Sequence, residues 1–221
     1  MAQIEFETSG SPEFSVIWLH GLGADGNDFV PVAEALSLPG MRFIFPHAAL
    51  MPVTLNGGYV MRAWYDLYSL DLGMGEDSEG IFASCRRIQG LIDRERERGM
   101  ESDHVFLAGF SQGGAIALAA GLLYAEKLAG IIALSTYLPL SQSLEQHPAN
   151  SDAPVFMGHG LNDDIIPVAA GMKSRERLVE LGHDVEWHAY SMNHSVCQQE
   201  ISDLSGWMKG IILRTSGSAT T

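Results

Sequence analysis

Short apolar runs alternate along this chain with longer amphipathic stretches, and this alternation restricts the fold more than any other feature. Most runs are apolar throughout, which is typical of parallel strands covered by helices on both faces. The predicted strands are residues 14–19, 42–45, 105–108, 130–134, 154–157 and 185–190, and the predicted helices are residues 27–36, 78–98, 112–124, 168–181 and 195–212. We therefore predict an α/β fold with a mostly parallel central sheet and helices on both of its faces.

The length of 221 residues suits one domain, because two domains would each be small for a core of their own. We expect this domain to cover residues 1–214, with a flexible tail over residues 215–221. Residues 47–77 mix Gly, Pro, Met and aromatic side chains without a clear period. Long loops in a compact domain are usually functional. The chain leaves little room for a large cap domain.

Charge and cysteine content indicate the surroundings in which the chain works. Lys and Arg number 13 against 27 Asp and Glu, a net charge of −14, which disfavours phosphate backbones and anionic membranes as partners. No apolar run approaches the roughly 20 residues of a membrane helix, and the N-terminal residues do not resemble a secretion signal. Cys85 and Cys197 are too few for a disulfide framework. We expect a cytoplasmic protein that neither binds nucleic acid nor inserts stably into a membrane.

Residues 109–113, Gly-Phe-Ser-Gln-Gly, match the pattern G-x-S-x-G between a predicted strand and an Ala- and Gly-rich helix. This setting is typical of a nucleophile elbow, a sharp turn that lifts a serine hydroxyl clear of the sheet edge. Gly109 and Gly113 lack a Cβ, so strand and helix can approach each other closely. The motif predicts that Ser111 is a nucleophile, and that the N–H of Gln112 at the helix start faces the substrate oxygen.

A serine hydroxyl needs a base, and the base needs an orienting acid. In α/β-hydrolases these follow the serine in the order acid, then histidine. His194 follows the last predicted strand and is the better candidate for the base, because His159 precedes the candidate acids. Asp163 and Asp164 both lie in the loop after the preceding strand. The pattern alone does not choose between them.

Residues 21–26 match G-x-G-x-x-G after a predicted strand, a pattern that taken alone suggests dinucleotide binding. No acidic residue ends the next strand to hold a ribose, since Phe45 leads into Pro46 and His47. A Gly-rich loop after an early strand also supplies the second oxyanion-hole donor in hydrolases. We favour this second interpretation, with the N–H of Leu22 as the donor.

Six segments together resemble the phospholipase/carboxylesterase family of α/β-hydrolases, the bacterial relatives of the acyl-protein thioesterases. The segments are HGLGADGNDFVPVAEAL from His20, FPHA from Phe45, PVTLNGGYVMRAWYD from Pro52, LAGFSQGGAIAL from Leu107, HGLNDDIIP from His159 and YSMNHSVCQQEI from Tyr190. They occur in order and span nearly the whole chain.

The resemblance implies an α/β-hydrolase fold and a serine carboxylesterase whose triad is Ser111, Asp163 and His194. It aligns the family's aspartate with Asp163, although Asp164 stands where the family often has proline. It also implies oxyanion donors at Leu22 and Gln112, no cofactor and no metal. Homodimers occur in the family, so a homodimer is possible here.

The resemblance implies carboxylic esters as substrates, with lysophospholipids or acyl thioesters as alternatives. Because the chain leaves little room for a large cap, we expect a fairly open site, which suits acyl chains of short to medium length or a bulky acylated partner. We expect Trp64, Leu67 and Tyr68 to contribute to the acyl pocket, because the segment 47–77 is rich in apolar and aromatic side chains. Packing of that segment onto the core is an equal alternative. Two rival functions stay open: a nucleotide-dependent oxidoreductase and a non-catalytic binding module with the same fold.

Overall fold

The computed structural model describes residues 2–69 and 75–218. The strands within these ranges are β1 (Gln3–Glu7), β2 (Phe14–Leu19), β3 (Met41–Pro46), β4 (Ala49–Val53), β5 (Tyr59–Ala63), β6 (Val105–Phe110), β7 (Gly130–Leu134), β8 (Val155–Gly160) and β9 (Val185–Tyr190). The α-helices are α1 (Val30–Leu36), α2 (Ser78–Glu97), α3 (Gln112–Leu123), α4 (Val168–Glu180) and α5 (Gln198–Ser218).

Seven strands form one sheet in the order β1-β3-β2-β6-β7-β8-β9. The six from β3 to β9 are parallel, which confirms the predicted α/β fold. The edge strand β1 is antiparallel to β3 and was not predicted, because its sequence QIEFE is short, charged and only half-buried. β4 and β5 form a separate antiparallel hairpin inside the segment expected to be irregular.

Two apolar cores lie on opposite faces of the sheet. The first, which we call the α2–α4 core, packs α2, α3 and α4 against residues such as Ile17, Leu107 and Ile131. The second, the α1–α5 core, packs α1 and α5 against their sequence neighbours Trp18, Phe106 and Ile132. Successive strand residues point to opposite faces, which is why each strand contributes to both cores.

Helix α5 continues to Ser218. The tail expected from residue 215 is therefore helical over its first four residues, and residues 219–221 lie outside the described ranges. Across the described residues, none of the helices combines the length and apolarity that a membrane crossing requires.

The carboxyl ends of the parallel strands all face one edge of the sheet. The loops that follow β2, β6, β8 and β9 hold His20, Ser111, Asp163 and His194 respectively. Ligands of open α/β sheets bind at this edge, so the sheet topology brings the predicted site residues to one end of the molecule.

Candidate active site

Ser111 sits in a strained turn between β6 and α3, with φ 54° and ψ −125°. Residues other than glycine rarely adopt a positive φ, and such backbone strain is found most often at functional sites. A Cβ on Gly109 would overlap the Gly113 carbonyl, and one on Gly113 would overlap the carbonyls of Leu19 and His20. The two glycines therefore permit the close strand–helix approach that positions Ser111.

The imidazole of His194 is held by the carboxylate of Asp163, whose Oδ2 lies 2.8 Å from His194 Nδ1. The other carboxylate oxygen, Oδ1, accepts the backbone N–H groups of Ile165 at 3.0 Å and Ile166 at 2.8 Å. Asp163 is buried, whereas Asp164 is exposed. The structure thus brings His194 together with Asp163 and leaves Asp164 in solvent.

His159 lies beneath this pair, with its Nε2 3.6 Å from Asp163 Oδ2. The Nε2–H donates to the carbonyl of Ile166 at 2.8 Å. Burial lowers the pKa of His159, which favours a neutral ring. His159 therefore supports the loop that carries Asp163, and it is not among the described residues that line the cavity.

Ser111 and His194 line the same cavity, which has a volume of about 580 Å³. The ring of His194 packs against Phe110, the residue before the serine, with centroids 4.6 Å apart. Other described lining residues are Gly21, Leu22, Ala24, Asp28, Phe29, Val32, Tyr65, Leu67, Ser69, Gln112, Tyr137, Ile165, Ile166, Ser195 and Val196. The cavity wall is mostly apolar, with a few polar groups around the serine.

The loop after β2 is fixed so that Leu22 faces the cavity. The His20 carbonyl accepts the indole N–H of Trp64 at 2.8 Å, and the Gly23 N–H donates to the Arg62 carbonyl at 2.8 Å. Within the described residues, the Leu22 N–H has no backbone acceptor. A free N–H held in this way is available to a ligand oxygen.

His20 itself works as a structural residue of this loop. Its Nδ1–H donates to the Gly21 carbonyl at 2.7 Å, and its Nε2 accepts the Ala48 N–H at 3.0 Å. Burial lowers the pKa of His20, so the ring keeps the neutral form that this pair of bonds requires. The ring thereby ties the loop to the segment that follows β3.

Gln112 begins α3, where the first backbone N–H groups of a helix have no intrahelical acceptor. Its side chain binds a neighbouring segment: Oε1 accepts the Trp64 N–H at 2.9 Å, and Nε2 donates to the Tyr65 carbonyl at 2.8 Å. The helix dipole adds positive potential beside Ser111. The N–H groups of Leu22 and Gln112 thus both belong to residues that line the cavity next to the serine.

The three residues expected to form an acyl pocket lie in different surroundings. Leu67 lines the cavity. Trp64 is only 3% exposed and packs behind the Leu22 loop, against the ring of His20. Tyr68 is 51% exposed and, like Trp64, is absent from the described cavity lining. The arrangement supports an acyl contact for Leu67 but not for Trp64 or Tyr68.

Tyr65 and Tyr137 line the cavity. Tyr65 belongs to the segment 47–77, whose apolar and aromatic side chains were candidates for an acyl groove, whereas Tyr137 was not predicted. Their hydroxyl oxygens lie 2.9 Å apart. Tyr65 follows directly on Trp64, and the apolar and aromatic composition of the segment was the only sequence signal for its place in the site. Tyr137 lies in a loop after β7 that carries no recognisable motif, so its place in the site depended on the tertiary structure.

The fold and this site define a serine hydrolase with an α/β-hydrolase architecture. Residues 4–212 match the family model described as phospholipase/carboxylesterase, and the chain belongs to that family.

Similar proteins agree with this placement. An acyl-protein thioesterase 1 of Yarrowia lipolytica is 40% identical over 205 residues, covering 88% of this chain and 90% of the relative. An acyl-protein thioesterase 1 of Cryptococcus neoformans is 38% identical over 215 residues, with the same coverage of 88% and 90%. The crystal structure of Zea mays acyl-protein thioesterase 2 matches with a TM-score of 0.83 at 27% identity, covering 95% of this chain and 98% of the maize chain.

These matches make the chain a serine hydrolase of the carboxylesterase and thioesterase class. They do not favour the dinucleotide interpretation of residues 21–26. In the structure that segment borders the Ser111 cavity, and a Cβ on Gly21 would lie 3.5 Å from Ser111 Cβ.

Proposed function

We propose that Ser111, His194 and Asp163 form a catalytic triad that hydrolyses carboxylic esters and acyl thioesters through an acyl-enzyme. The observation that carries this proposal is a strained serine at a helix start that shares one cavity with a histidine held by a buried carboxylate at 2.8 Å. A base oriented in this way is what an unactivated hydroxyl requires.

In the acylation half-reaction, the Ser111 Oγ attacks the substrate carbonyl carbon while His194 Nε2 takes the hydroxyl proton. The new C–O bond turns the carbonyl into a tetrahedral oxyanion. Collapse of this intermediate breaks the bond to the leaving alcohol or thiol, and His194 returns the proton to the leaving atom. Asp163 stabilises the imidazolium that exists between these two transfers.

In the deacylation half-reaction, water takes the place of the leaving group. His194 removes one water proton as the oxygen attacks the acyl-enzyme carbonyl. The second tetrahedral intermediate then breaks its bond to the Ser111 Oγ, which regains the proton from His194. The products are a carboxylic acid and the free enzyme. In both half-reactions His194 acts as base in its neutral form and as acid in its protonated form.

The N–H groups of Leu22 and Gln112 are the proposed oxyanion donors. The hydrogen bonds of His20, Trp64 and Arg62 support this role, because they fix the Leu22 loop before substrate arrives. Preorganised donors stabilise charge without reorganisation, and loss of one typically lowers the rate on the order of 10²–10³-fold.

Three substrate classes are candidates. The mostly apolar cavity of about 580 Å³ suits esters of short to medium acyl chains. The fungal and maize relatives are named acyl-protein thioesterases, which favours an acylated protein or peptide as the second candidate. Lysophospholipids are a third, suggested by the family description.

A fluorophosphonate probe tests the nucleophile. Labelling of the wild-type chain that disappears in Ser111→Ala, with both proteins folded by circular dichroism, is the expected result. An unlabelled but folded wild type would mean that the chain is a binding module. A nicotinamide cofactor that binds tightly without any esterase activity would mean an oxidoreductase.

A substrate panel then ranks the substrate classes. It contains p-nitrophenyl esters of increasing length, a lysophospholipid and a palmitoyl-thioester peptide, compared by kcat/KM. Highest kcat/KM on the thioester peptide would make deacylation of proteins the main role. Highest kcat/KM on the short esters would favour a general carboxylesterase.

A cytoplasmic location and a homodimeric state are further proposals. The described cysteines, Cys85 and Cys197, are both unpaired, which fits a reducing compartment. Size-exclusion chromatography with light scattering distinguishes a 24.0 kDa monomer from a dimer of twice that mass.

A further inference from the structure

The cavity that holds Ser111 has two unlike halves, which belong to the two cores on opposite faces of the sheet. One half consists of α1–α5 core residues, namely Phe29, Val32, Phe110 and Val196. The other half consists of α2–α4 core residues, namely Tyr65, Leu67, Tyr137 and Ile166. The first half is a purely apolar wall, whereas the second contains two phenol groups.

The position of His194 indicates which half receives the acyl group. Its ring packs on Phe110 and therefore borders the apolar half. In the proposed mechanism His194 delivers a proton to the leaving atom, so the leaving group must lie on the His194 side of the serine. The acyl group then extends toward the half that contains Tyr65 and Tyr137.

The two phenols sit at fixed positions relative to the nucleophile. The Tyr65 carbonyl accepts the Gln112 side-chain amide at 2.8 Å. Thr136, the neighbour of Tyr137, donates its hydroxyl to the Ser111 carbonyl at 2.6 Å. Each tyrosine is thus tied, directly or through an adjacent residue, to the elbow. Both residues line the cavity, so the pair is a rigid polar element within a mostly apolar lining.

The two phenols have one more O–H group than the hydrogen bond between them uses. Two phenols have two O–H protons, and the bond between them at 2.9 Å uses one. The described residues supply no acceptor for the other. Tyr65 and Tyr137 are only 1% and 6% exposed, and a buried donor without a partner is unfavourable. An acceptor oxygen in the bound ligand would satisfy it.

Burial raises the pKa of both Tyr65 and Tyr137, and the negative charge of Glu76 adds a smaller increase, so both phenols stay protonated. Glu76 Oε2 accepts the Leu140 N–H at 2.9 Å. Its Oε1 is buried without a hydrogen-bond partner in the described part of the chain. Neither oxygen therefore takes the spare phenol proton.

We propose that the Tyr65–Tyr137 hydroxyl pair determines acyl specificity by donating a hydrogen bond to an oxygen atom within the acyl chain. The preferred acyl group then carries an ether, keto or hydroxyl oxygen at a set distance from the scissile carbonyl. A plain hydrocarbon of equal length leaves the donor unsatisfied and is a poorer substrate. This specificity rests on the proposed esterase function, because it concerns the acyl half of the same site.

The test compares p-nitrophenyl esters of equal chain length with and without one ether oxygen, placed at successive positions along the acyl chain. The leaving group is constant, so differences in kcat/KM report on the acyl half. We expect a preference that peaks at one oxygen position. The ratio compared is kcat/KM for the ester with the ether oxygen divided by kcat/KM for the plain hydrocarbon ester. In the double variant Tyr65→Phe/Tyr137→Phe this ratio should fall by about tenfold, because a site built for a hydrogen bond discriminates against ligands that lack one.

The double variant is preferred to either single change because it removes both hydroxyls and leaves no orphaned phenol. The control is Tyr124→Phe, which removes another buried hydroxyl, one that donates to Asp93 at 2.7 Å and lies outside the described cavity lining. It should leave the ratio of the two kcat/KM values unchanged. Thermal unfolding of every variant shows whether a loss of activity reflects a loss of fold.

Methyl ketones with the same pairs of chains provide a binding readout that needs no turnover. A wild-type preference for the oxygen-bearing ketone that the double variant loses supports the specificity even if ester hydrolysis fails. An unchanged ratio in the double variant overturns the proposal. So does an equal loss for both members of each pair, which would make the phenol pair a structural element only.

Discussion

Asp163 joins His194 to the backbone of its own loop: one carboxylate oxygen binds His194 Nδ1 at 2.8 Å, while the other accepts the N–H groups of Ile165 and Ile166. The carboxylate is thereby fixed before it meets the imidazole. An acid that is held by backbone donors can orient a histidine without an entropic cost at each turnover.

This relationship predicts different effects for two adjacent substitutions. Asp163→Asn should lower kcat by about 10⁴-fold, because an amide favours the wrong histidine tautomer. Asp164→Asn, the matched control at an exposed position, should stay within about twofold. The measurement is kcat on a p-nitrophenyl ester. A severe loss in the Asp164 variant with a mild one in the Asp163 variant would assign the orienting role to Asp164.

The elbow glycines predict a stability effect. Gly113→Ala places a Cβ against the carbonyls of Leu19 and His20, so we expect the free energy of unfolding to fall by about 3 kcal/mol or more. Gly206 in α5 has open space around its Cα, and Gly206→Ala should stabilise the helix by about 0.5–1 kcal/mol. Urea denaturation measures both. An equally stable Gly113→Ala protein would mean that strand and helix can separate freely at the elbow.

A substitution at Trp64 can distinguish its support of the Leu22 loop from a contact with the acyl chain. Trp64→Phe removes the indole N–H that binds the His20 carbonyl at 2.8 Å. We expect a loss of about 1–3 kcal/mol in stability, since that carbonyl is left buried without a partner. The substitution should lower kcat by the same factor for every acyl length in a series of esters. A changed preference for acyl length would instead indicate that Trp64 contacts the acyl chain.

Glu200 predicts a pH dependence of stability. Its side chain is buried in the first turn of α5, and burial raises its pKa to about 8. Between the unfolded value near 4.5 and about 8, the native state keeps a proton that the unfolded chain releases. Stability is therefore lost as pH rises through this window, by at most about 1.4 kcal/mol per pH unit from this group.

The variant Glu200→Gln isolates this contribution, because the amide has nearly the same shape and does not ionise. The difference in unfolding free energy between wild type and variant should change steadily from pH 5 to pH 8, with the variant gaining relative stability. A difference that does not vary with pH would show that Glu200 ionises in the folded state as it does in the unfolded chain.

Local patterns in the sequence were sufficient to predict the parallel strands, the helices on both faces and the elbow at Ser111. These features depend on short-range physics: apolar runs of strand length, helical periodicity, and glycines at a turn where a Cβ cannot fit. The edge strand β1 and the β4–β5 hairpin escaped prediction, because half-exposed antiparallel strands carry weaker patterns than buried parallel ones.

Tertiary structure decided the relationships between residues that are distant along the chain. It placed Asp163 rather than Asp164 beside His194, moved Trp64 from the expected pocket to the support of the Leu22 loop, and paired Tyr65 with Tyr137 across 72 positions. Each of these depends on how separate loops meet at the carboxyl edge of the sheet. Side-chain direction and burial arise only when the strands are assembled, so a linear pattern does not contain them.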